Sequence, residues 1–426
     1  MNDEKHCGRR TFLKGSALAA LSLLFPFAAY PDKKSPVLIL RSSWQTVNIG
    51  DIGHTPGVLA LLEKYLPEVE VRLWPSSVGN GVEQMLSRRF PKLIFIKNKE
   101  DQKRAMAEGD FMLHGSGPSL VARTQLEAWR QTGKPYGVYG ITFPGVYSTA
   151  DQAKKASPAD IDLLTHARFV FFRDSVSLDI AREVGVTCPV MEFGPDGAFA
   201  VDVKNDQAAS QFLATQGLED KKFLCVIPRY RYTPWWKIPS KNAVLDARRD
   251  AVNQQMKEHD NAPIREAIIA VARQTSMKLL ICPEDETQVA IGKEMLYDKL
   301  PEDVKARVVL RESYWLTDEA LSTYVRSAGL FGLEMHSPIM CVGHGIPAIV
   351  CRFAEQTHKG FMWQDIGLGD WLFDMDKPQE VAGITPAVLA MAREPEKARR
   401  KALRARRFVE NRQQATMAAV KKSLYA

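Results

Sequence analysis

Pro36-Val37-Leu38-Ile39-Leu40 is followed shortly by Asn48-Ile49-Gly50-Asp51-Ile52-Gly53-His54, then by Val58, Leu59, Leu61, Leu62, Tyr65 and Leu66. An unbroken apolar run opened by proline suits a strand buried on both faces, as parallel strands are. The last group has helical spacing, so the glycine-bearing segment reads as the loop of a strand–loop–helix unit. The alternation continues outward. Glu70–Trp74, Leu93–Ile96, Phe111–His114, Tyr136–Ile141 and Phe169–Phe172 read as further strands. A polar stretch, Lys204–Lys222, separates a second series at Phe223–Ile227, Lys278–Cys282, Val308–Leu310, Leu330–Leu333 and Ala348–Cys351. Two such series predict an α/β protein with two Rossmann-like domains, 36–205 and 222–375, facing a cleft, followed by basic helices over 376–426.

The 426 residues are 45% hydrophobic and 25% charged, which excludes disordered and fibrous classes. No apolar run beyond residue 30 is long enough to span a bilayer. Six cysteines without a CxxC pair argue against a disulfide framework or a thiolate zinc site, and no metal or cofactor is expected. The net charge of +7 is concentrated at the C-terminus, where 391–426 holds 11 Lys/Arg against 3 Glu. This stretch reads either as a solvated amphipathic helix, Leu403 and Val409 inward, or as a surface for anionic glycan or lipid headgroups. No nucleic-acid module accompanies it.

In open parallel sheets ligands bind beyond the carboxyl ends of strands, and four clusters fall there. Asn48, Gly50, Asp51 and His54 combine close backbone approach with ionisable groups. The turn His114-Gly115-Ser116-Gly117 does the same; neither fits a dinucleotide or phosphate-loop fingerprint. Arg173-Asp174-Ser175 offers a guanidinium to a carboxylate or phosphate, or else a helix cap with a local ion pair. Glu334-Met335-His336-Ser337-Pro338, with Gly343-His344-Gly345-Ile346-Pro347 behind it, places His336 to transfer protons. After the strand at 223–227, Tyr230-Arg231-Tyr232-Thr233-Pro234-Trp235-Trp236 forms an aromatic and basic insertion.

The N-terminus, Arg9-Arg10-Thr11-Phe12-Leu13-Lys14 before an apolar run to Tyr30, resembles a bacterial twin-arginine export signal. That resemblance implies passage through the twin-arginine translocase and a periplasmic or cell-envelope location. Phe27 sits where cleavage favours a small residue, so cleavage of segment 1–30 and its retention as an anchor both stay open.

The remaining motifs together resemble the polysaccharide pyruvyl transferases. The resemblance runs from Asn48-Ile49-Gly50-Asp51 through Gly115-Ser116-Gly117, Phe172-Arg173-Asp174-Ser175, Asp196-Gly197-Ala198-Phe199, His336-Ser337 and Lys359-Gly360-Phe361 to Ile366-Gly367-Leu368. It implies a glycosyltransferase-B-like fold and transfer of the enolpyruvyl carbon of phosphoenolpyruvate to two glycan hydroxyls as a ketal. It also implies His336 as acid/base and Arg173 as a donor-binding cation, with Asn48, Gly50, Asp51, His54, Gly115, Gly117 and Lys359 in the binding set. One departure matters: the family usually has Arg-Leu-His where this chain has Glu334-Met335-His336. A carboxylate in place of that arginine should repel an anionic donor by roughly several kcal/mol. Arg229, Arg231, Arg352 and Lys359 are the candidate replacements. Glu334 beside His336 also suits a different exported glycan-modifying enzyme, with Asp51 or Asp196 as second carboxylate. A non-catalytic glycan-binding protein is the third reading, with Tyr230, Tyr232, Trp235, Trp236 and Trp363 stacking on sugar rings.

Overall fold

The computed structural model describes residues 35–42, 45–144 and 156–426. The export-signal segment 1–30 lies outside the described residues. Two all-parallel sheets with interleaved helices organise the rest. The first contains β1 (Val37–Arg41), β2 (Glu70–Trp74), β3 (Ile94–Phe95), β4 (Phe111–His114), β5 (Tyr136–Ile141), β6 (Val170–Phe172) and β7 (Met191–Phe193). Its order is β3-β2-β1-β4-β5-β6-β7. The second contains β8 (Phe223–Ile227), β9 (Lys278–Ile281), β10 (Val308–Leu310), β11 (Gly329–Gly332), β12 (Ala348–Arg352) and β13 (Leu372–Asp374), in the order β10-β9-β8-β11-β12-β13. Each sheet is doubly wound, and the winding reverses beside its first strand. The two switch points therefore lie between β1 and β4 and between β8 and β11, where crevices open beyond the carboxyl ends.

The central strands are fully buried, as their continuous Val/Ile/Leu/Phe runs require. The expected loop at 48–54 is instead the start of a helix, Ile49–Tyr65. Asn48 caps it, its Oδ1 accepting from Gly50 N at 2.8 Å and Asp51 N at 3.0 Å. Glycine and proline weaken a helix, which is why 49–57 reads as a loop. Here they are needed for space. A Cβ on Gly57 would stand 1.9 Å from Gly197 O, and one on Gly50 would stand 2.2 Å from His336 Cβ.

This helix start is fastened to the second sheet's loops. Ile49 N donates to Glu284 O at 2.9 Å, and Thr317 Oγ1 donates to Ile49 O at 2.9 Å. The C-terminal helix, Pro395–Leu424, buries Ala398, Ala402, Ala405, Val409, Met417 and Val420 while Arg399, Arg400, Arg404 and Arg407 stay exposed. Its spacing is that of an amphipathic helix. It packs back towards the first sheet, with Tyr139 and Thr416 hydroxyls 3.1 Å apart and Arg412 Nη2 donating to Glu192 at 2.8 Å. Leu403 is half-buried against Gly345 rather than fully inside. Cys188, Cys225, Cys282, Cys341 and Cys351 are all buried free thiols. No described helix is long and apolar enough to cross a membrane.

Candidate active site

Both switch points deliver a histidine to one place. His54 sits on the second turn of the helix that follows β1; His336 opens the helix His336–Gly343 that follows β11. Their rings meet edge to face, centroids 4.9 Å apart. Both are buried, at 0% and 5% exposure. The missing side chain at Gly50 makes the meeting sterically feasible.

Each imidazole is oriented by a carboxylate at Nδ1. Asp196 Oδ1, beyond β7, lies 2.8 Å from His54 Nδ1, and Ser116 Oγ lies 3.1 Å from the same atom. Arg173 Nη1 donates to Asp196 Oδ2 at 2.7 Å, and Arg173 Nε donates to Thr142 Oγ1 at 2.6 Å. Burial opposes ionisation of Asp196, but His54 and Arg173 hold it well below the usual carboxylate range. On the other side Glu284 Oε1, beyond β9, lies 3.1 Å from His336 Nδ1. Glu284 Oε2 accepts from Ser337 N at 2.7 Å and Ser337 Oγ at 2.6 Å. Carboxylates serving as acceptors assign a proton to Nδ1 of each histidine, so a neutral ring carries its lone pair on Nε2. Neither Nε2 has a hydrogen-bond partner among the described residues. Burial, then Lys359, pushes His336 well below the ordinary histidine range, so its imidazole is neutral at pH 7.

Glu334 is held differently. Its Oε1 pairs with Arg229 Nη1 and accepts from Gln288 Nε2 at 2.7 Å. Burial pushes the Glu334 carboxyl up, and Arg229 is the main counterweight. Of the four candidate cations, Arg229, just beyond β8, is the one paired with Glu334 and matches its charge. Arg231 is committed to Asp260, Glu355 and Asp376, and Arg352 to Asp374. Lys359 forms no ion pair or hydrogen bond through Nζ with any described residue. Burial lowers its pKa; Glu334 opposes this, and Arg229 and Arg173 add to it. These couplings place Lys359 in the same electrostatic neighbourhood.

The comparisons fit this geometry. The family model for polysaccharide pyruvyl transferase matches residues 48–353, from the helix cap through the strand behind His336. The chain belongs to the polysaccharide pyruvyl transferase family. Comparison with curated proteins returned no match. Among solved structures, this pyruvyl transferase-family chain is similar to Anabaena Alr3699/HepE in complex with UDP and glucose. That match has TM-score 0.56 and 10% identity, covering 91% of this chain and 100% of the other. The UDP-GlcNAc 2-epimerase from Neisseria meningitidis bound to UDP-GlcNAc gives the same four values. The epimerase from Methanocaldococcus jannaschii gives TM-score 0.54 and 12% identity, covering 88% and 98%. At these identities the likeness shows the fold alone, α/β and glycosyltransferase-B-like as expected.

The structure places the other residues as follows. His54, His336, Gly50 and Arg173 converge, with Asp51 beside the two histidines. Gly115 and Gly117 shape the turn that brings in Ser116, and Gly117 N donates to Gly140 O at 3.3 Å. His114 stands apart, accepting from Val121 N through Nε2 at 3.2 Å. Asp174 caps its helix by accepting from Ser177 N at 2.7 Å, and Arg173 pairs with Asp196 rather than locally. Asp196, considered as a hydrolytic carboxylate, is an acceptor locked under Arg173 and His54. Trp363 is fully buried against Phe199, and Tyr230 is buried too, so neither offers a face to a sugar. Trp235, Trp236 and Tyr232 remain half-buried. Glu284, Gln288 and Thr142 were not singled out from sequence. The signal for Glu284 was the pair Glu284-Asp285 directly beyond a strand end.

Proposed function

We propose that the protein transfers the pyruvyl group of phosphoenolpyruvate to two hydroxyls of a cell-envelope glycan. The observation that carries this reading is the neutral His336, held at Nδ1 by Glu284 and bare at Nε2, in a chain of this family. In the reaction one glycan oxygen bonds to the enol carbon while the methylene carbon takes a proton. The second oxygen then bonds to the same carbon as the C–O bond to phosphate breaks, and the proton balance leaves with phosphate. His336 Nε2 accepts a hydroxyl proton and returns it to carbon. Lys359 supplies positive charge for the donor's carboxylate and phosphate, and Arg173 keeps Asp196 and His54 in place. Glu334 with Arg229 forms a neutral pair where the family's arginine would stand. The sugar-nucleotide ligands of the structural neighbours support a sugar acceptor in the cleft. The twin-arginine-like N-terminus supports an exported location, reached through the translocase, and the exposed arginines of the C-terminal helix support contact with an anionic envelope surface.

The test is phosphate release from phosphoenolpyruvate in the presence of envelope polysaccharide, with His336→Ala in parallel. The reading expects acceptor-dependent release lost in the variant. Release without acceptor, or equal release by His336→Ala, contradicts it. An exported enzyme of another class or a plain glycan-binding protein would instead show glycan cleavage or binding with no donor consumed.

A further inference from the structure

We infer that Asp51, His54 and His336 form a binding site for one divalent cation of the zinc class. Three potential ligand atoms, one from each residue, lie within 4.8 Å of one another. The two Nε2 atoms are buried and without hydrogen-bond partners among the described residues. The Asp51 carboxylate likewise has no hydrogen bond or ion pair there; only its backbone N–H is engaged, by Asn48. The Asp51 carboxylate and a lone pair on each Nε2 are acceptors, and none of the three has a hydrogen-bond donor among the described residues. Leaving buried acceptors unpaired is unfavourable, and the two histidine Nε2 atoms are in that state here. A water has two hydrogens for three acceptors, whereas one cation satisfies all three.

The surroundings have the form of a built site. Metal-bound histidines generally donate their second ring N–H to a carboxylate, which fixes tautomer and orientation. Here Asp196 performs that role for His54 at 2.8 Å and Glu284 for His336 at 3.1 Å. A metal about 2 Å from each ligand needs ligand atoms about 3.3 Å apart in tetrahedral geometry. Asp51 is only half-buried on the first turn of its helix, so its carboxylate has room to adjust towards the two imidazoles. Two imidazoles and one carboxylate suit zinc over calcium or magnesium, and three protein ligands leave one position open. The alternative set of Glu284, Glu334 and His336 is worse, because Ser337, Arg229 and Gln288 already occupy those carboxylates. The cysteine argument against zinc concerned thiolates and does not bear on this set.

The consequence is a mutual exclusion. A metal on His336 Nε2 takes the lone pair that proton transfer uses, so the ion-bound protein cannot use His336 as acid or base. The test strips the full-length protein with a chelator, dialyses it, and titrates it with Co2+ for its visible absorption and with Zn2+ by calorimetry. No donor or acceptor is present, so failure of pyruvyl transfer would not affect the result. One ion per chain is expected, with affinity lowered at least about tenfold in Asp51→Asn and more in His54→Ala. Asp51→Asn decides the matter if the buried His54→Ala variant does not fold. Absence of stoichiometric binding overturns the proposal, as does unchanged affinity in a folded Asp51→Asn, which would place the ion on surface histidines such as His166 or His259.

Discussion

Arg229→Met isolates the neutral pair that replaces the family's arginine. Glu334 is 1% exposed and has three partners: Arg229, Gln288 at 2.7 Å and Met335 N at 3.3 Å. Only Arg229 carries charge. Removing one member of a buried ion pair costs about 3–5 kcal/mol, because the remaining charge is stranded. Burial already pushes the Glu334 carboxyl up, so the variant should relieve itself in part by protonation. The expected loss is therefore about 3 kcal/mol at pH 8 and smaller at pH 5, where uptake of a proton costs less. Adding Glu334→Met should recover most of it, since a buried pair replaced by apolar groups of similar volume is often close to neutral. The assay is denaturant unfolding of wild type, both single variants and the double variant at the two pH values. A double variant as unstable as the sum of the singles would show that the two side chains do not act as a pair and would refute the reasoning.

Three further outcomes follow from the same geometry. Gly50→Ala places a Cβ 2.2 Å from His336 Cβ, so the helix must shift; the cost is about 1–3 kcal/mol, with pyruvyl transfer lost, checked by melting and turnover. Burial pushes His114 down to about 4, while the unfolded chain protonates near the ordinary histidine value of 6.5. Its contribution is therefore fully present above pH 6.5 and is lost as pH falls through about 4, up to about 3 kcal/mol. Melting at pH 7.5 and 4.5 should show a steeper loss in wild type than in His114→Gln. Tyr139→Phe removes the hydroxyl 3.1 Å from Thr416 and should lower stability by about 1 kcal/mol, read as a loss of denaturant midpoint.

The strands at the centre of each sheet were legible because burial on both faces makes them continuous apolar runs, as in Val37–Leu40 and Phe223–Ile227. β7 and β13 were not, since Met191-Glu192-Phe193 and Leu372-Phe373-Asp374 each carry an acidic residue and are only partly buried, so neither is a continuous apolar run. The helix from Ile49 was hidden by the glycines and proline that let it approach His336 and Gly197. His336 and the Asn48–His54 cluster were legible as residues beyond strand ends. Their partners were harder, because each is set by long-range topology. Glu284 meets His336 across 52 positions and Arg229 meets Glu334 across 105, and no local spacing encodes either. Arg173 was read as a cation for an anionic donor or as a local ion-pair partner; its actual partner Asp196 enters because β6 and β7 are neighbours.

The central claim is that phosphoenolpyruvate is the donor even with glutamate at 334. Calorimetric titration of the purified protein with phosphoenolpyruvate tests it most directly, with Lys359→Ala and His336→Ala alongside. The account predicts saturable binding weakened at least about tenfold by Lys359→Ala, since the variant loses a charge-assisted contact. No binding at millimolar donor, or binding indifferent to Lys359, would contradict it.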